Sequence, residues 1–139
     1  PVGGGGLAAG TALGAPSESV VGVEASASRA VSTAMRAGHP VHVEIGSTIA
    51  DGLAGNIAAD ALTPAILRER RVPVIAADEP GLRAAVRELA LQHGVVAEGS
   101  AGAGIAAARA GDIPSDQPTV FVITGRNITA ERFCELLTA

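Results

Sequence analysis

Short apolar segments alternate with helical segments along this chain, and this alternation limits the possible folds more than any other feature. Extended segments are predicted at Val20–Glu24, Val72–Ala76 and Thr119–Thr124, and a further apolar segment runs over Val95–Glu98. Helix-starting residues lie between them, as with Asp78-Glu79-Pro80 before an amphipathic helix. Such alternation at short spacing predicts βαβ units around a mostly parallel sheet.

Each predicted helix has a boundary residue that favours a start or a stop. The predicted starts are Leu7, Ser26 or Ser28, Thr63 followed by Pro64, Asp78, Gly102 and Thr129, and the predicted stops are Gly14 to Ser17, Ala37, Arg70, Gly94 and Ala110. The connections between these helices and the extended segments are short, except for an irregular stretch from Pro40 to Asn56. We therefore expect closely packed α/β layers without a long linker.

The composition fits a core of small and branched side chains. Hydrophobic residues make up 47% of the 139 residues, charged residues 17% and aromatic residues 1%, and 18 residues are glycine. A core of valine, isoleucine, leucine and alanine beneath closely spaced backbones favours a three-layer α/β sandwich over a β-barrel. The length suits one domain or a piece of one.

Charge and hydropathy argue against several classes of protein. The net charge of −4 and the isoelectric point of about 5.3 come without a basic stripe, so we expect no nucleic-acid partner. No apolar run is long enough to cross a bilayer, so we expect no membrane partner. Cys134 is the only cysteine, which excludes an intramolecular disulfide and is compatible with the cytoplasmic location that we expect.

The glycine run Gly3-Gly4-Gly5-Gly6 leads directly into the first helix. Consecutive glycines let the backbone turn tightly and direct several N–H groups at one point, and the helix that follows adds the positive end of its dipole. The run therefore favours a phosphate site over a flexible linker. Gly4 to Ala9 also fits a dinucleotide-binding pattern, with Glu24 near the position of a ribose-binding acid, so a nicotinamide-binding module stays open as an alternative.

Two further motifs carry polar residues at the carboxyl ends of apolar segments. Glu98 begins the sequence Glu-Gly-Ser-Ala-Gly, and Thr124 begins Thr-Gly-Arg-Asn-Ile. Open α/β sheets bind ligands at this end of their strands, and the glycines beside both residues would let a flat ring approach the backbone. An ordinary strand-to-helix turn is the structural alternative for each motif.

Together and in this order, these motifs resemble the fold-type II pyridoxal-phosphate enzymes, specifically the serine/threonine dehydratase and serine racemase group. The resemblance covers nearly the whole chain. It rests on Pro-Val-Gly-Gly-Gly-Gly-Leu at 1–7, Val-Gly-Val-Glu at 21–24, Thr-Ile-Ala-Asp-Gly-Leu at 48–53, Glu-Gly-Ser-Ala-Gly at 98–102 and Thr-Gly-Arg-Asn-Ile at 124–128. It implies a tryptophan-synthase-β-like large domain, with pyridoxal 5'-phosphate as the cofactor.

The resemblance also implies roles for individual residues. Backbone amides of Gly3, Gly4, Gly5 and Gly6, with Leu7 beside them, would bind the cofactor's phosphate. Thr124 stands where the family places a hydroxyl or thiol beside the pyridine nitrogen. A hydroxyl can donate a hydrogen bond to that nitrogen but is too weak an acid to keep it protonated, which favours elimination over transamination. Gly52 would offer its backbone, and Glu98 would lie near the ring as a candidate for proton transfer.

Two departures from the family pattern bear on the chemistry. The ten basic residues are all arginine, so the family's Schiff-base lysine is absent, and Glu98 is the one possible catalytic residue. We expect residues 1–139 to be the C-terminal, cofactor-binding part of a longer enzyme. Glu24 matches a position that binds a cation in some members, but Ala30 stands where those members have a second acid, so no metal is expected.

The resemblance implies an enzyme that acts on a small amino acid. The complete protein is expected to remove water from L-threonine or L-serine by β-elimination and to release ammonia, and to be a homo-oligomer. The chain by itself is expected to be inactive. Besides the nicotinamide-binding module, a non-catalytic fragment or paralogue remains an alternative function.

Overall fold

The computed structural model describes residues 1–15, 20–114 and 116–138 of the chain. In chain order, the elements are α1 (Gly6–Gly14), β1 (Gly22–Ala25), α2 (Ala30–Ala37), a 3-10 helix (Asp51–Leu53), α3 (Thr63–Glu69), β2 (Val74–Ala77), α4 (Glu79–His93), a second 3-10 helix (Gly99–Gly102), α5 (Ala103–Arg109) and α6 (Ala130–Thr138). The predicted stop at Pro16 and Ser17 lies outside the described residues.

The sheet of the described residues consists of two parallel strands. β1 pairs with β2 from Gly22 opposite Val74 to Ala25 opposite Ala77. A parallel pair needs a crossover between its strands, and here the chain supplies it through α2 and α3. The N–H of Val2 donates to the Val23 carbonyl over 2.8 Å, which attaches the opening residues of the chain to β1.

Helices cover both faces of this sheet, as the alternation of strands and helices predicts. Val23 and Ile75 pack on one face with α4, α5 and α6. On the other face, Val74 packs beside α1 and α3 in a second core cluster centred on Leu67 and Val72. The helix–sheet–helix arrangement confirms the predicted three-layer α/β architecture. No helix in the described ranges is both long and apolar enough to span a membrane.

The boundaries of α4 follow the sequence signals. Asp78 caps its start by accepting the Gly81 N–H over 2.8 Å, and Gly94 ends it in a left-handed conformation with φ of 65°. Leu82, Val86 and Leu89 are buried along one face, as their helical spacing predicts. Local capping chemistry therefore decides where this helix begins and ends.

The predicted cap of α2 is wrong. Ser26 donates its hydroxyl to the Ala77 carbonyl and Ser28 donates to the Gly55 carbonyl, so neither serine caps the helix. Glu24 does so instead, since its Oε1 accepts the N–H groups of Val31 at 2.7 Å and Ser32 at 3.1 Å. A buried carboxylate at a helix N-terminus satisfies free N–H groups and meets the positive end of the helix dipole.

Replacing Glu24 by alanine is expected to lower the free energy of unfolding by about 2 kcal/mol, because two buried N–H groups lose their acceptor. Glu24→Gln keeps an acceptor oxygen, so we expect a smaller loss. Urea denaturation measures both variants against Glu69→Ala, which truncates an exposed glutamate at the end of α3. A Glu24→Ala loss no larger than that of the control would refute the capping role.

One further prediction of secondary structure, the strand at Thr119–Thr124, is wrong. The apolar segments Val95–Glu98 and Thr119–Thr124 are extended in sequence pattern but are not strands of the sheet. Phe121 and Ile123 still turn inward while Val120 is 88% exposed, so the alternation of a strand is present. A strand also needs a neighbour with which it forms a ladder of backbone hydrogen bonds, and neither segment pairs with a strand among the described residues.

Candidate functional site

The glycine loop, Gly3 to Gly6, follows Val2, which is hydrogen-bonded to β1, and ends at the first residue of α1. Gly5 has a left-handed φ of 83°, and a side chain there would meet Thr63 at 3.1 Å. The Thr63 hydroxyl donates to the Gly4 carbonyl over 2.6 Å. The sequence predicts that Thr63 caps α3, but it is the first residue of that helix and makes no cap hydrogen bond among the described residues. It fastens the glycine loop to α3 instead.

The N-terminus of α1 is open to a ligand. Among the described residues, no side chain caps it, and the N–H groups of a helix's first turn have no acceptor within the helix. These groups belong to Gly6, Leu7 and Ala8. A Cβ atom added at Gly4 or at Gly6 would meet nothing within 4 Å. The loop therefore leaves room for a group of atoms beside these amides, and an anion such as a phosphate fits their charge.

A second glycine, Gly52, joins the glycine loop to the motif that contains Glu98. A Cβ atom on Gly3 would lie 2.7 Å from the Gly52 carbonyl oxygen. A Cβ atom on Gly52 would in turn lie 2.8 Å from Ser100 Oγ and 3.6 Å from Glu98 Oε1. Three segments that are distant in sequence thus meet at Gly3 and Gly52, where an added Cβ atom would have no room, which explains why glycine occupies both positions.

Glu98 in turn contacts the turn that follows Thr124. Its N–H donates to the Gly125 carbonyl over 3.1 Å, and its Oε2 accepts the Asn127 N–H over 3.0 Å. A Cβ atom on Gly125 would lie 2.6 Å from the carboxyl carbon of Glu98. The structure therefore brings the glycine loop, Gly52, Glu98 and the Thr124 turn into one chain of neighbouring contacts.

Thr124 is exposed and faces an open cavity. With Ile123, Gly125 and Arg126 on one side, and Gly94 to Val96 on the other, it lines a space of about 560 Å³. A second space of about 230 Å³ is lined by Asp51, Glu98 and Asn127, among others. The Thr124 residue is thus accessible to a ligand, as a hydrogen-bond partner of an aromatic ring nitrogen must be.

Two further residues near this site, Ser100 and Glu79, have surroundings that the sequence does not predict. Ser100 is buried, and its hydroxyl has no hydrogen-bond partner among the described residues. Glu79 holds the segment before Gly52, because its carboxylate accepts the Ile49 N–H at 3.0 Å and the Thr48 hydroxyl at 2.7 Å. The surroundings of both residues come from segments that are far apart in sequence, so local spacing carries no signal for them.

Glu24 lies apart from these contacts and has the surroundings of a helix cap. It is 1% exposed, and its Oε1 is occupied by two N–H groups of α2. Its Oε2 has no hydrogen-bond partner in the described part of the chain, and that part holds no group of three histidine, cysteine or acidic residues suited to a metal ion. Oxygen-bound cations require several ligands, so the residues around Glu24 do not fit a metal site.

Comparisons with known proteins agree on one family. The model of the family described as "Pyridoxal-phosphate dependent enzyme" matches residues 1–125. The biosynthetic L-threonine dehydratase of Mycobacterium tuberculosis is 32% identical over 143 aligned positions, which cover 99% of this chain and 33% of that protein. A protein of Sinorhizobium fredii, provisionally named as a threonine dehydratase, is 33% identical over 134 residues, or 92% of this chain and 40% of that protein.

Solved structures show the same fold. The threonine deaminase of T.th. superimposes with a TM-score of 0.80 and 30% identity, over 93% of this chain and 48% of its own. The L-serine ammonia-lyase of Rhizomucor miehei does so with a TM-score of 0.82 and 28% identity, over 99% of this chain and 48% of its own. The chain therefore spans a third to two fifths of its curated relatives and about half of each structure.

The glycine loop, the α/β layers and the resemblance of the motifs all lead to the assignment that these comparisons give. The fold is that of the fold-type II enzymes, and the cofactor of the family is pyridoxal phosphate. The chain belongs to the family of pyridoxal-phosphate dependent enzymes.

Proposed function

We propose that the complete protein is a dehydratase that removes water from L-threonine or L-serine by β-elimination and releases ammonia. In this proposal, residues 1–139 form the cofactor-binding part of the enzyme. The observation that carries the proposal is the open N-terminus of α1. A series of contacts through Gly52 and Glu98 joins this N-terminus to the turn after Thr124. The names of the relatives, which are threonine dehydratases and a serine ammonia-lyase, support the reaction.

Different residues of the chain bind different parts of the cofactor. The N–H groups of Gly3 to Gly6 and of Leu7 hold the phosphate, and Gly52 leaves its backbone beside the site. The Thr124 hydroxyl donates to the pyridine nitrogen without protonating it. Glu98 lies between these two regions. When bound, pyridoxal phosphate supplies an electron sink for electrons released at the substrate's Cα.

The primary amine that the family's covalent chemistry requires is absent from this chain, since its ten basic residues are all arginine. We propose that a lysine outside residues 1–139 of the complete protein supplies it, and that the chain by itself is inactive. We further propose that the complete enzyme works in the cytoplasm as a homo-oligomer on a small amino acid.

Incubation of the complete protein with pyridoxal phosphate and either L-threonine or L-serine tests this function. We expect release of ammonia together with 2-oxobutanoate from threonine or pyruvate from serine. Residues 1–139 assayed alone should release neither product. Cofactor binding without any turnover of either amino acid would contradict the proposed reaction and would favour the non-catalytic paralogue, for which the missing lysine is the main argument.

The structure weakens the alternative of a nicotinamide-binding module. That alternative requires Glu24 to bind a ribose, but the Glu24 carboxylate is buried and accepts two N–H groups of α2. We expect the complete protein to change the absorption spectrum of pyridoxal phosphate and not to bind a nicotinamide dinucleotide. This result would favour the dehydratase over the nicotinamide-binding module.

Replacing Thr124 by valine is expected to lower kcat/KM about tenfold, because the variant keeps the shape of the side chain but loses its hydrogen bond to the ring nitrogen. Thr124→Ser keeps the hydroxyl and should stay within about twofold of the wild type. Steady-state kinetics of the complete protein measures both variants. Equal activity of the valine and serine variants would show that the hydroxyl has no part in the reaction.

A further inference from the structure

We propose that Glu98 is a positioning residue, which clasps the turn Gly125–Asn127 and thereby fixes the hydroxyl of Thr124. The clasp itself follows from the structure of the chain alone. Its consequence for the cofactor rests on the proposed function, because that function makes Thr124 the partner of the ring nitrogen. The proposal differs from a role of Glu98 in proton transfer, which the resemblance of the sequence also implies.

Glu98 holds both ends of this turn with two hydrogen bonds of opposite direction. Its backbone N–H donates to the Gly125 carbonyl at 3.1 Å, and its side-chain Oε2 accepts the Asn127 N–H at 3.0 Å. Gly125 packs directly on the carboxyl group, where a Cβ atom would lie 2.6 Å from Cδ and 2.6 Å from Oε1. The turn is thus fastened at its first and third residues by one glutamate.

The segment before the turn needs such a fastening. Thr119–Thr124 has no strand partner among the described residues, and Val120 and Val122 are both exposed. Ile123 packs against Leu89, Ala97 and Ala101, so an apolar contact holds the segment only shortly before Thr124. In the described part of the chain, Glu98 is the only side chain that hydrogen-bonds to the backbone of the turn.

Glu98 itself is held firmly in place. It precedes the 3-10 helix Gly99–Gly102, and its carbonyl accepts the Ala101 N–H over 3.1 Å. Its neighbours Ala97 and Gly99 are both buried. The backbone of Glu98 is rigid and the turn is loosely held, so the hydrogen bond between them orders the turn.

The contacts favour holding over proton transfer. One carboxylate oxygen is occupied by a backbone N–H, and the carboxyl carbon lies against the backbone of Gly125. An amide oxygen can accept the same N–H, so glutamine at position 98 should preserve the clasp, although it cannot exchange a proton as a carboxyl group does. The glutamine variant therefore separates the two roles.

Hydrogen exchange of the Asn127 amide tests the clasp in the complete protein without added cofactor. We expect Glu98→Ala and Gly125→Ala each to speed this exchange about tenfold, the first by removing the acceptor and the second by displacing it. Glu98→Gln should exchange at nearly the wild-type rate. The double variant with alanine at both positions should exchange no faster than either single variant, because both changes break the same contact.

The dissociation constant of pyridoxal phosphate, followed by its absorption spectrum, tests the consequence. We expect about a tenfold increase in Glu98→Ala and in Gly125→Ala, and less than a twofold change in Glu98→Gln. Glu131→Ala is the matched control, since it truncates an exposed glutamate in the first turn of α6 and should alter neither measurement. Should Glu98→Ala fold poorly, the Glu98→Gln and Gly125→Ala variants still decide the question.

The outcomes are distinguishable. Unchanged Asn127 exchange in Gly125→Ala and Glu98→Ala overturns the clasp, and a glutamine variant as defective as the alanine variant shows that the charge or the proton is what matters. A looser turn with unchanged cofactor affinity overturns the positioning role. Failure of the wild-type protein to bind pyridoxal phosphate would defeat the proposed function, whereas the exchange rates would still decide whether the clasp exists.

Discussion

Replacing Gly99 by alanine is expected to lower the free energy of unfolding by about 3 kcal/mol, which is the largest effect on stability that we expect from a single added methyl group. A Cβ atom at this position would overlap the backbone carbonyl of Ile49 and would lie 2.9 Å from its Cγ1. Neither group can move away easily, because Ile49 is buried and Glu79 holds its N–H. The loss of stability therefore comes from forcing apart the backbone segments that contain Gly99 and Ile49.

Urea denaturation of Gly99→Ala and of Gly10→Ala measures this effect against a matched control. Gly10 lies inside α1, where an added Cβ atom meets nothing within 4 Å. Alanine there should raise the free energy of unfolding by up to about 1 kcal/mol, because it lowers the backbone entropy of the unfolded chain. If the two variants were equally stable, the close approach of Gly99 to Ile49 would be disproved.

The second large effect concerns the affinity for the cofactor. Gly4→Ala and Gly6→Ala are each expected to raise the dissociation constant of pyridoxal phosphate by about 10- to 100-fold, since a methyl group would occupy the open space in which phosphate oxygens approach the amides. Neither glycine has a positive φ, so stability should change by less than about 0.5 kcal/mol. Titration of the complete protein, followed by absorption, measures the affinity.

Gly10→Ala also serves as the control for this titration, because it adds the same methyl group to α1 away from the glycine loop. Its affinity for pyridoxal phosphate should equal that of the wild type. If Gly4→Ala and Gly6→Ala also bound as tightly as the wild type, the phosphate would have to lie elsewhere, and the role of the loop would be lost.

Local chemistry explains which parts of the fold can be predicted. Asp78 begins α4 and Gly94 ends it through contacts within a few residues, so the sequence itself indicates both ends of this helix. The strand at Thr119–Thr124 is predicted from the same kind of local pattern, and the prediction is wrong because a strand is completed only by a neighbouring chain segment. The cap of α2 escapes prediction because Glu24 reaches it from the preceding strand.

The candidate site divides in the same way. The glycine loop is visible in sequence, since four glycines before a helix have few structural explanations. The sequence does not indicate that the glycine loop is attached to Thr63, because the two residues that form this hydrogen bond are separated by 59 positions. The path from Gly3 through Gly52 to Ser100 depends on how the layers pack, so no spacing in the sequence indicates it.

A crystal structure of the complete protein with pyridoxal phosphate tests the central claim most directly. The account predicts phosphate oxygens within hydrogen-bond distance of the amides of Gly3 to Gly6 and of Leu7, with the pyridine nitrogen beside the hydroxyl of Thr124. A phosphate bound away from α1, or a ring nitrogen that faces another side chain while Thr124 remains in solvent, would contradict it.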